Sequence, residues 1–219
     1  MQLDPHNTLK SLDKTTMPYL FPLFGYLLGA IPFGLLYGKL AGIDLRGQGS
    51  GNIGATNAAR LLGKKIGGLT LVSDMLKGML PMLLAAWILR DEPDHRLWIL
   101  LTGTAAFLGH CFPVYLKFRG GKGVATALGL HLYLAPLPTL AGIGVFLITV
   151  RLSGFVSLGS IIAAASLPLL IWLAGGPEQL RMASTLIAVV IWLKHHENIA
   201  RLLKGTEKGW KKSNAETNR

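Results

Sequence analysis

Three short segments of this 219-residue chain combine glycine with cations, amides and hydroxyls at spacings that suit the capture of phosphate. The first runs from Gly47 to Arg60 and reads GQGSGNIGATNAAR. Its glycines, with Ser50, Gly51 and Asn52 among them, let backbone N–H groups approach an anion. A helix starting near Ile53 would add the free donors of its first turn. On such a helix Thr56, Asn57 and Arg60 share one face. Arg60 can hold a phosphate through two parallel hydrogen bonds. The competing reading is a flexible loop beside a solvated arginine. Gly49, Gly51 and Gly54 also spell G-x-G-x-x-G, but an apolar helix rather than a strand precedes them, so a dinucleotide fingerprint is not indicated.

The second segment, Gly109 to Thr126, reads GHCFPVYLKFRGGKGVAT. It is not a Walker A loop, because Lys122 is followed by Gly123 instead of Ser or Thr. It still places the amides of Gly120, Gly121 and Gly123 beside Lys122, Lys117 and Arg119 at the start of an apolar helix. Snorkelling cations beside a helix cap would leave the same pattern, and His110 can be read as a packing histidine. The third segment, Lys194 to Glu207, carries His195, Asn198, Arg201 and Glu207. If helical, it puts His195, Asn198 and Leu202 along one face and turns Arg201 away from His195 by about 120°. An amphipathic interfacial tail competes with a site here. Asp74 and Lys77, at i and i+3 inside an apolar run, suit either a structural ion pair or a role in the site.

These segments must be positioned by apolar elements. Hydrophobic residues make up 51% of the chain and charged ones 15%, well under the roughly 25% charged residues of soluble domains. Apolar runs at 17–41, 66–89, 97–116, 123–150, 156–175 and 182–193 approach or exceed the roughly 20 residues that cross a bilayer. One of them, 123–150, would be about 42 Å long as a single helix. Pro136 and Pro138 sit near its middle, so it reads as two short crossings, the first ending near Leu134. The expectation is an all-α integral membrane protein with seven transmembrane helices, some short. The glycine pairs Gly25/Gly29 and Gly34/Gly38 suit close helix contact.

The formal net charge of +11 sits in short loops between apolar runs, which favours anionic lipids and anionic substrates over nucleic acid. The loop holding Lys39, Arg46, Arg60, Lys64 and Lys65 is placed in the cytoplasm by the positive-inside rule. With seven crossings the N-terminus is then outside and the basic C-terminus inside. Residues 1–16 form a polar extension, 17–209 the membrane domain and 210–219 a basic tail. Cys111, the single cysteine, reads as a packed small hydrophobe, and no metal-ligand spacing is present.

All three segments together resemble the signatures of the acyl-phosphate-dependent glycerol-3-phosphate acyltransferases of bacteria, the PlsY family. Gly49–Arg60 is similar to GSGN-x-GATN-x-x-R. Gly109–Thr126 is similar to GH-x-x-PV followed by F-[KR]-GGKGVAT. His195–Glu207 is similar to H-x-x-NI-x-RL-x-x-G-x-E, and the pattern Asp74-x-x-Lys77-Gly78 matches too. The resemblance covers about residues 19–209. It implies a seven-helix protein of the bacterial inner membrane with its active site facing the cytoplasm. It implies acyl transfer from acyl phosphate to the 1-hydroxyl of sn-glycerol-3-phosphate, giving lysophosphatidic acid and phosphate, without metal, cofactor or nucleic acid. This is the first acylation of phospholipid synthesis. Ser50, Arg60 and Lys122 are then expected to hold phosphate with the amides of Gly51 and Gly120–Gly123. Asn52, Thr56 and Asn57 are expected to orient substrate or polarise the acyl carbonyl. His195, beside Asn198, takes the hydroxyl proton or binds the acceptor phosphate. Asp74, Lys77, Lys117, Arg201 and Glu207 are secondary candidates. A transporter of phosphorylated metabolites would also need basic residues and broken helices, but the polar segments gather on one face instead of at the midplane of two repeats. A non-catalytic lipid-binding scaffold is the third possibility.

Overall fold

The computed structural model describes the backbone of residues 5–210 and the side chains from Met17 to Trp210. Parts of the polar extension and most of the basic tail therefore lie outside the described residues. The chain forms α1 (Pro5–Gly29), α2 (Phe33–Leu40), α3 (Ala55–Leu62), α4 (Lys64–Ile88), α5 (His95–Cys111), α6 (Val124–Leu134), α7 (Pro136–Ser153), α8 (Val156–Leu173), α9 (Glu178–Lys194) and α10 (His196–Leu203). A 3-10 turn at Val114–Leu116 lies between α5 and α6. No strand occurs among the described residues.

The apolar runs become helices, but their ends are set by glycine and proline. The first run does not form the single helix expected from it. Gly29 ends α1, and Pro32, with no N–H and a restricted residue before it, separates α1 from α2. The break in 123–150 falls where the prolines suggest, with α6 ending at Leu134 and α7 starting at Pro136. Among the described residues five segments are long and apolar enough to cross a membrane: Met17–Leu40, Lys64–Ile88, His95–Leu116, Pro136–Ser153 and Val156–Leu173. Helix α6, at 11 residues, covers only about 16 Å, and α9 has 17 residues.

Packing depends on small residues. Helix α1 lies along α5, with Gly25 against the Thr102 backbone, Gly29 against Ala106 and Gly109 against Tyr26 and Ala30. Helix α4 lies along α6, with Gly78 on the Thr126 carbonyl and Gly129 on the Met75 carbonyl. Helices α7 and α8 form a hairpin, and α9 packs on α8. Phe107, Met82, Leu130, Ile187 and Ile191 fill the space between α4, α5, α6 and α9. Gly34 and Gly38 behave differently from the expected helix seam: they receive the carbonyls of Ile53 and Ile43, and so seat the loop that follows α2. Outward positions such as Leu23, Leu80, Trp87, Leu147, Leu169 and Leu193 are exposed. Exposed apolar faces on helices whose backbone bonds close internally belong in lipid. The protein is an all-α integral membrane protein.

Two glycines of α4 give contrasting expectations. A Cβ on Gly78 would overlap the Thr126 carbonyl, whereas one on Gly68 meets nothing within 4 Å. Gly78→Ala is expected to lower stability in detergent by about 1–3 kcal/mol. Gly68→Ala should be neutral or stabilise by up to about 1 kcal/mol. Thermal unfolding of the two variants checks this, and equal midpoints would contradict the α4–α6 contact.

Candidate active site

The loop between α2 and α3 is shaped by one buried amide. Asn57 is 0% exposed. Its Nδ2 donates to the carbonyls of Leu45 at 3.1 Å and Gln48 at 3.2 Å, and its Oδ1 accepts from the Ser50 N–H at 2.9 Å. Gly49 lies directly against that amide oxygen, at a φ of 65°, where a side chain has neither the backbone conformation nor the room. The expected substrate-orienting role of Asn57 thus gives way to a clamp: all its polar atoms are spent on the loop. What the clamp presents is Ser50, Asn52, Thr56 and Arg60, which line a cavity of about 290 Å³. Gly51 is exposed and does not line it.

In the second segment Lys122 and Gly123 reach the cavity, while Gly120, Gly121 and Lys117 do not. The phosphate cradle expected at Gly120 and Gly121 is not open. Their N–H groups donate to the carbonyls of Cys111 at 3.2 Å and His110 at 3.0 Å. Both are glycine for want of space: Gly120 lies on the His110 carbonyl and Pro113, and Gly121 on the His110 ring. Lys117 is an exposed residue at the end of the 3-10 turn.

In the third segment His195, Asn198, Arg201 and Glu207 all line the cavity. Arg201 does not point elsewhere, as helical spacing alone suggests. The chain turns back at Gly205, and Glu207 returns to meet it, with Arg201 Nε donating to Glu207 Oε2 at 2.7 Å. Glu207 Oε1 accepts from Asn198 Nδ2 at 2.6 Å and Ser157 Oγ at 2.7 Å. This fixes the Asn198 amide so that its oxygen accepts from Lys122 Nζ. Burial pushes the Glu207 carboxyl up, but the Ser157, Arg201 and Asn198 hydrogen bonds outweigh it and hold it below the ordinary carboxylate range. The strap continues to Trp210, whose N–H donates to the Gly154 carbonyl at 2.9 Å.

The charges differ in their freedom. Arg201 is neutralised by Glu207. Arg60 and Lys122 pair with no carboxylate among the described residues. Burial and the neighbouring Arg201 lower Lys122 to about 8. Burial and Lys122 lower His195 to about 4, so its ring is neutral near pH 7. The His195 Nδ1 lies 2.7 Å from the Ile191 carbonyl. A carbonyl only accepts, so the proton sits on Nδ1, and Nε2 carries a lone pair. Below the cavity Lys77 Nζ contacts Asp74 Oδ1 at 2.8 Å and donates to the Ile31 carbonyl at 2.7 Å, which lies in the α1–α2 break and also accepts from the Phe33 N–H at 3.2 Å. His110 Nδ1 is 3.6 Å from Asp74 Oδ1. Asp74 and His110 line the cavity; Lys77 does not. The contributions of His110, Ser157, Ser160 and Lys208 to this lining were missed by the sequence reasoning. Ser157 and Ser160, at i and i+3 in the first turns of a largely apolar α8, are the signal available for two of them.

A cavity with two uncompensated cations, a neutral imidazole with a free lone pair, and hydroxyl and amide donors can bind phosphorylated molecules and accept a proton from a hydroxyl. Comparison with known proteins identifies the family. Residues 19–205 match the family model described as glycerol-3-phosphate acyltransferase. The glycerol-3-phosphate acyltransferase of Desulfotalea psychrophila is 54% identical over 196 residues, covering 90% of this chain and all of the relative. That of Trichlorobacter lovleyi is 55% identical over 186 residues, covering 85% of this chain and 94% of the relative. The crystal structure of PlsY (YgiH), an integral membrane glycerol 3-phosphate acyltransferase, in its glycerol 3-phosphate form superposes with a TM-score of 0.83 at 42% identity, covering 89% of this chain and 96% of that one. The lysophosphatidic acid form gives 0.80 at 41% identity, covering 88% and 95%. With the match spanning all three polar segments and the helices between them, this chain belongs to the glycerol-3-phosphate acyltransferase family, and its structural relative is PlsY.

Proposed function

We propose that this protein transfers a fatty acyl group from acyl phosphate to the 1-hydroxyl of sn-glycerol-3-phosphate, giving lysophosphatidic acid and inorganic phosphate. One observation carries the reading: a single cavity gathers Arg60, Lys122 and the free Nε2 of His195 from three separate segments. Both substrates are phosphorylated, and the two unpaired cations suit them. The acceptor hydroxyl attacks the acyl carbon, and its proton passes to His195 Nε2. The bond from the acyl carbon to the phosphate oxygen breaks, the electron pair leaves with phosphate, and the proton follows it. Asn52 and Thr56, on the same wall, donate toward the acyl carbonyl as it gains charge. No covalent enzyme intermediate is needed. Ser50 has no histidine–carboxylate partner among the described hydrogen bonds, His195 Nδ1 is committed to a backbone carbonyl, and Cys111 is buried. Family membership favours acyl transfer over a transporter of phosphorylated metabolites.

The proposed setting is the bacterial inner membrane, with α1, α4, α5, α6, α7, α8 and α9 as seven crossings. The N-terminus is outside and the cavity faces the cytoplasm. The support is loop charge: Lys39, Lys64, Lys65, Lys117, Arg119 and Lys204 flank the segments that build the cavity. A sixteen-carbon donor, held in the bilayer at about 0.8 kcal/mol per buried methylene, would meet a soluble acceptor at that boundary.

Purified protein in nanodiscs with palmitoyl phosphate is expected to release phosphate only when glycerol-3-phosphate is supplied. Acceptor-independent release, or none, would reject the acyl-phosphate reading. Arg60→Ala and His195→Ala should keep membrane expression and lose at least about 100-fold in kcat/KM; near-normal turnover in either removes that residue from the site. Lys122 binds phosphate as a cation, so its contribution is present below its pKa of about 8 and lost above it. kcat/KM for glycerol-3-phosphate should therefore fall as pH rises through about 8. In Lys122→Arg that fall should move beyond about pH 10, and a wild-type profile flat to about pH 9.5 would remove Lys122 from phosphate binding.

A further inference from the structure

The turn from Phe112 to Arg119 takes no part in the cavity: none of its residues lines it. It leaves the end of α5 and comes back to it, because the Gly120 and Gly121 amides donate to the carbonyls of Cys111 and His110. Its apolar side chains face outward, with Val114 44%, Tyr115 57% and Phe118 59% exposed. Lys117 and Arg119 flank Phe118 and are exposed too. The outward shape is built in. The Pro113 carbonyl accepts from the Leu116 N–H at 3.0 Å and the Phe118 N–H at 2.9 Å, and the Leu116 carbonyl accepts from the Arg119 N–H at 3.1 Å. Lys117 and Phe118 have φ of 51° and 62°, a left-handed conformation that residues with a side chain seldom adopt. Two such residues in succession persist only where the surrounding bonds hold them, and what they hold here is an aromatic ring turned away from the protein.

Position and charge give the class of ligand. The apolar span His95–Leu116 runs directly into the turn, so Val114, Tyr115 and Phe118 continue the lipid-facing surface, and aromatic rings at the end of a span lie at the level of the headgroups. No acidic residue occurs from Gly109 to Thr126. Lys117 and Arg119 pair with no carboxylate among the described residues, while Lys122, the third cation of the segment, reaches the cavity instead. Two uncompensated cations beside aromatic and aliphatic side chains match a molecule with a net negative headgroup joined to acyl chains. A zwitterionic headgroup carries its own cation and gains less from them. A soluble anion would meet the cations but leave the apolar side chains in water. We propose that the Phe112–Arg119 turn is a binding site for an anionic phospholipid of the bilayer, with Lys117 and Arg119 on its phosphate and Tyr115 and Phe118 against its acyl chains. That this lipid belongs to the cytoplasmic leaflet rests on the proposed topology; the class of ligand does not. The site is separate from the cavity, and the lipid it holds is neither substrate nor product of the proposed reaction.

The test counts bound lipid. Full-length protein in detergent is titrated with dioleoylphosphatidylglycerol, and the lipids retained are counted by native mass spectrometry, with dioleoylphosphatidylcholine as the zwitterionic control. Wild-type protein is expected to hold phosphatidylglycerol about 10- to 30-fold more tightly than phosphatidylcholine, the range for two cations at a membrane surface. Lys117→Gln/Arg119→Gln should retain one phosphatidylglycerol fewer at the same lipid concentration, with phosphatidylcholine binding unchanged. Should that double variant not fold, Arg119→Gln alone is read by the same count. Absence of the preference in wild-type protein, or an unchanged count in the variant, overturns the proposal. Phe118→Ser should weaken both lipids by about threefold or more, and unchanged retention overturns the placement of the acyl chains. Glycerophosphoglycerol, the same headgroup without acyl chains, should fail to displace the lipid at about 100-fold excess; displacement would assign the turn to soluble anions and overturn the lipid site. None of these readouts involves turnover, so failure here leaves the proposed acyl transfer standing, and failure of acyl transfer leaves this site standing.

Discussion

An ammonium group in the middle of an apolar helix must find oxygen, and the position of Lys77 shows how much of this protein is organised by that need. An unpaired charge at the centre of a bilayer costs roughly 3 kcal/mol on insertion scales. Lys77 meets it with Asp74 one turn earlier on its own helix and with the Ile31 carbonyl in the break before Pro32. The break is therefore not free to move. It sets the direction of α2, and Gly34 and Gly38 on α2 receive the loop that carries the first polar segment. Asp74, held in turn, lies beside His110, whose carbonyl takes the Gly121 amide and so fixes the approach to Lys122.

The same accounting applies to every irregular stretch. Backbone that leaves a helix within or beside hydrocarbon must have its N–H and C=O groups taken up by protein. Asn57 does this for the first segment, the carbonyls of His110 and Cys111 for the second, and the Arg201 and Gly154 carbonyls for the third. Lys194 Nζ donates to the Cys111 carbonyl at 3.0 Å and lies over the Phe112 ring, which joins the end of α5 to the end of α9. Three segments far apart in sequence meet because each solves its backbone problem against the others or against the same helices.

Much of this was legible in the residues. The apolar runs became helices, and Pro136 marked a real division. Arg60, Lys122, His195 and Asn198 were read from type and spacing, and all four share one cavity. The failures have physical causes. Composition cannot distinguish a glycine that frees an amide from one that merely makes room, so Gly120 and Gly121 read as a cradle although they are packed against His110 and Pro113. Helical periodicity placed Arg201 away from His195 because it could not anticipate the chain reversing at Gly205 to bring Glu207 back. Asn57 reads as polar machinery because an amide suits a substrate and a loop clamp equally well; only burial separates the two. Pro32 divides the first run while Pro81 and Pro168 lie inside α4 and α8, so proline alone does not mark a break.

The bond between the Trp210 N–H and the Gly154 carbonyl anchors the last described residue beside the cavity, on the turn that joins α7 to α8. Any affinity handle or fluorescent reporter appended beyond the basic tail is consequently leashed through Trp210 to the wall of the cavity that holds Arg60 and Lys122, and a polyhistidine or acidic tag brings its own charge there.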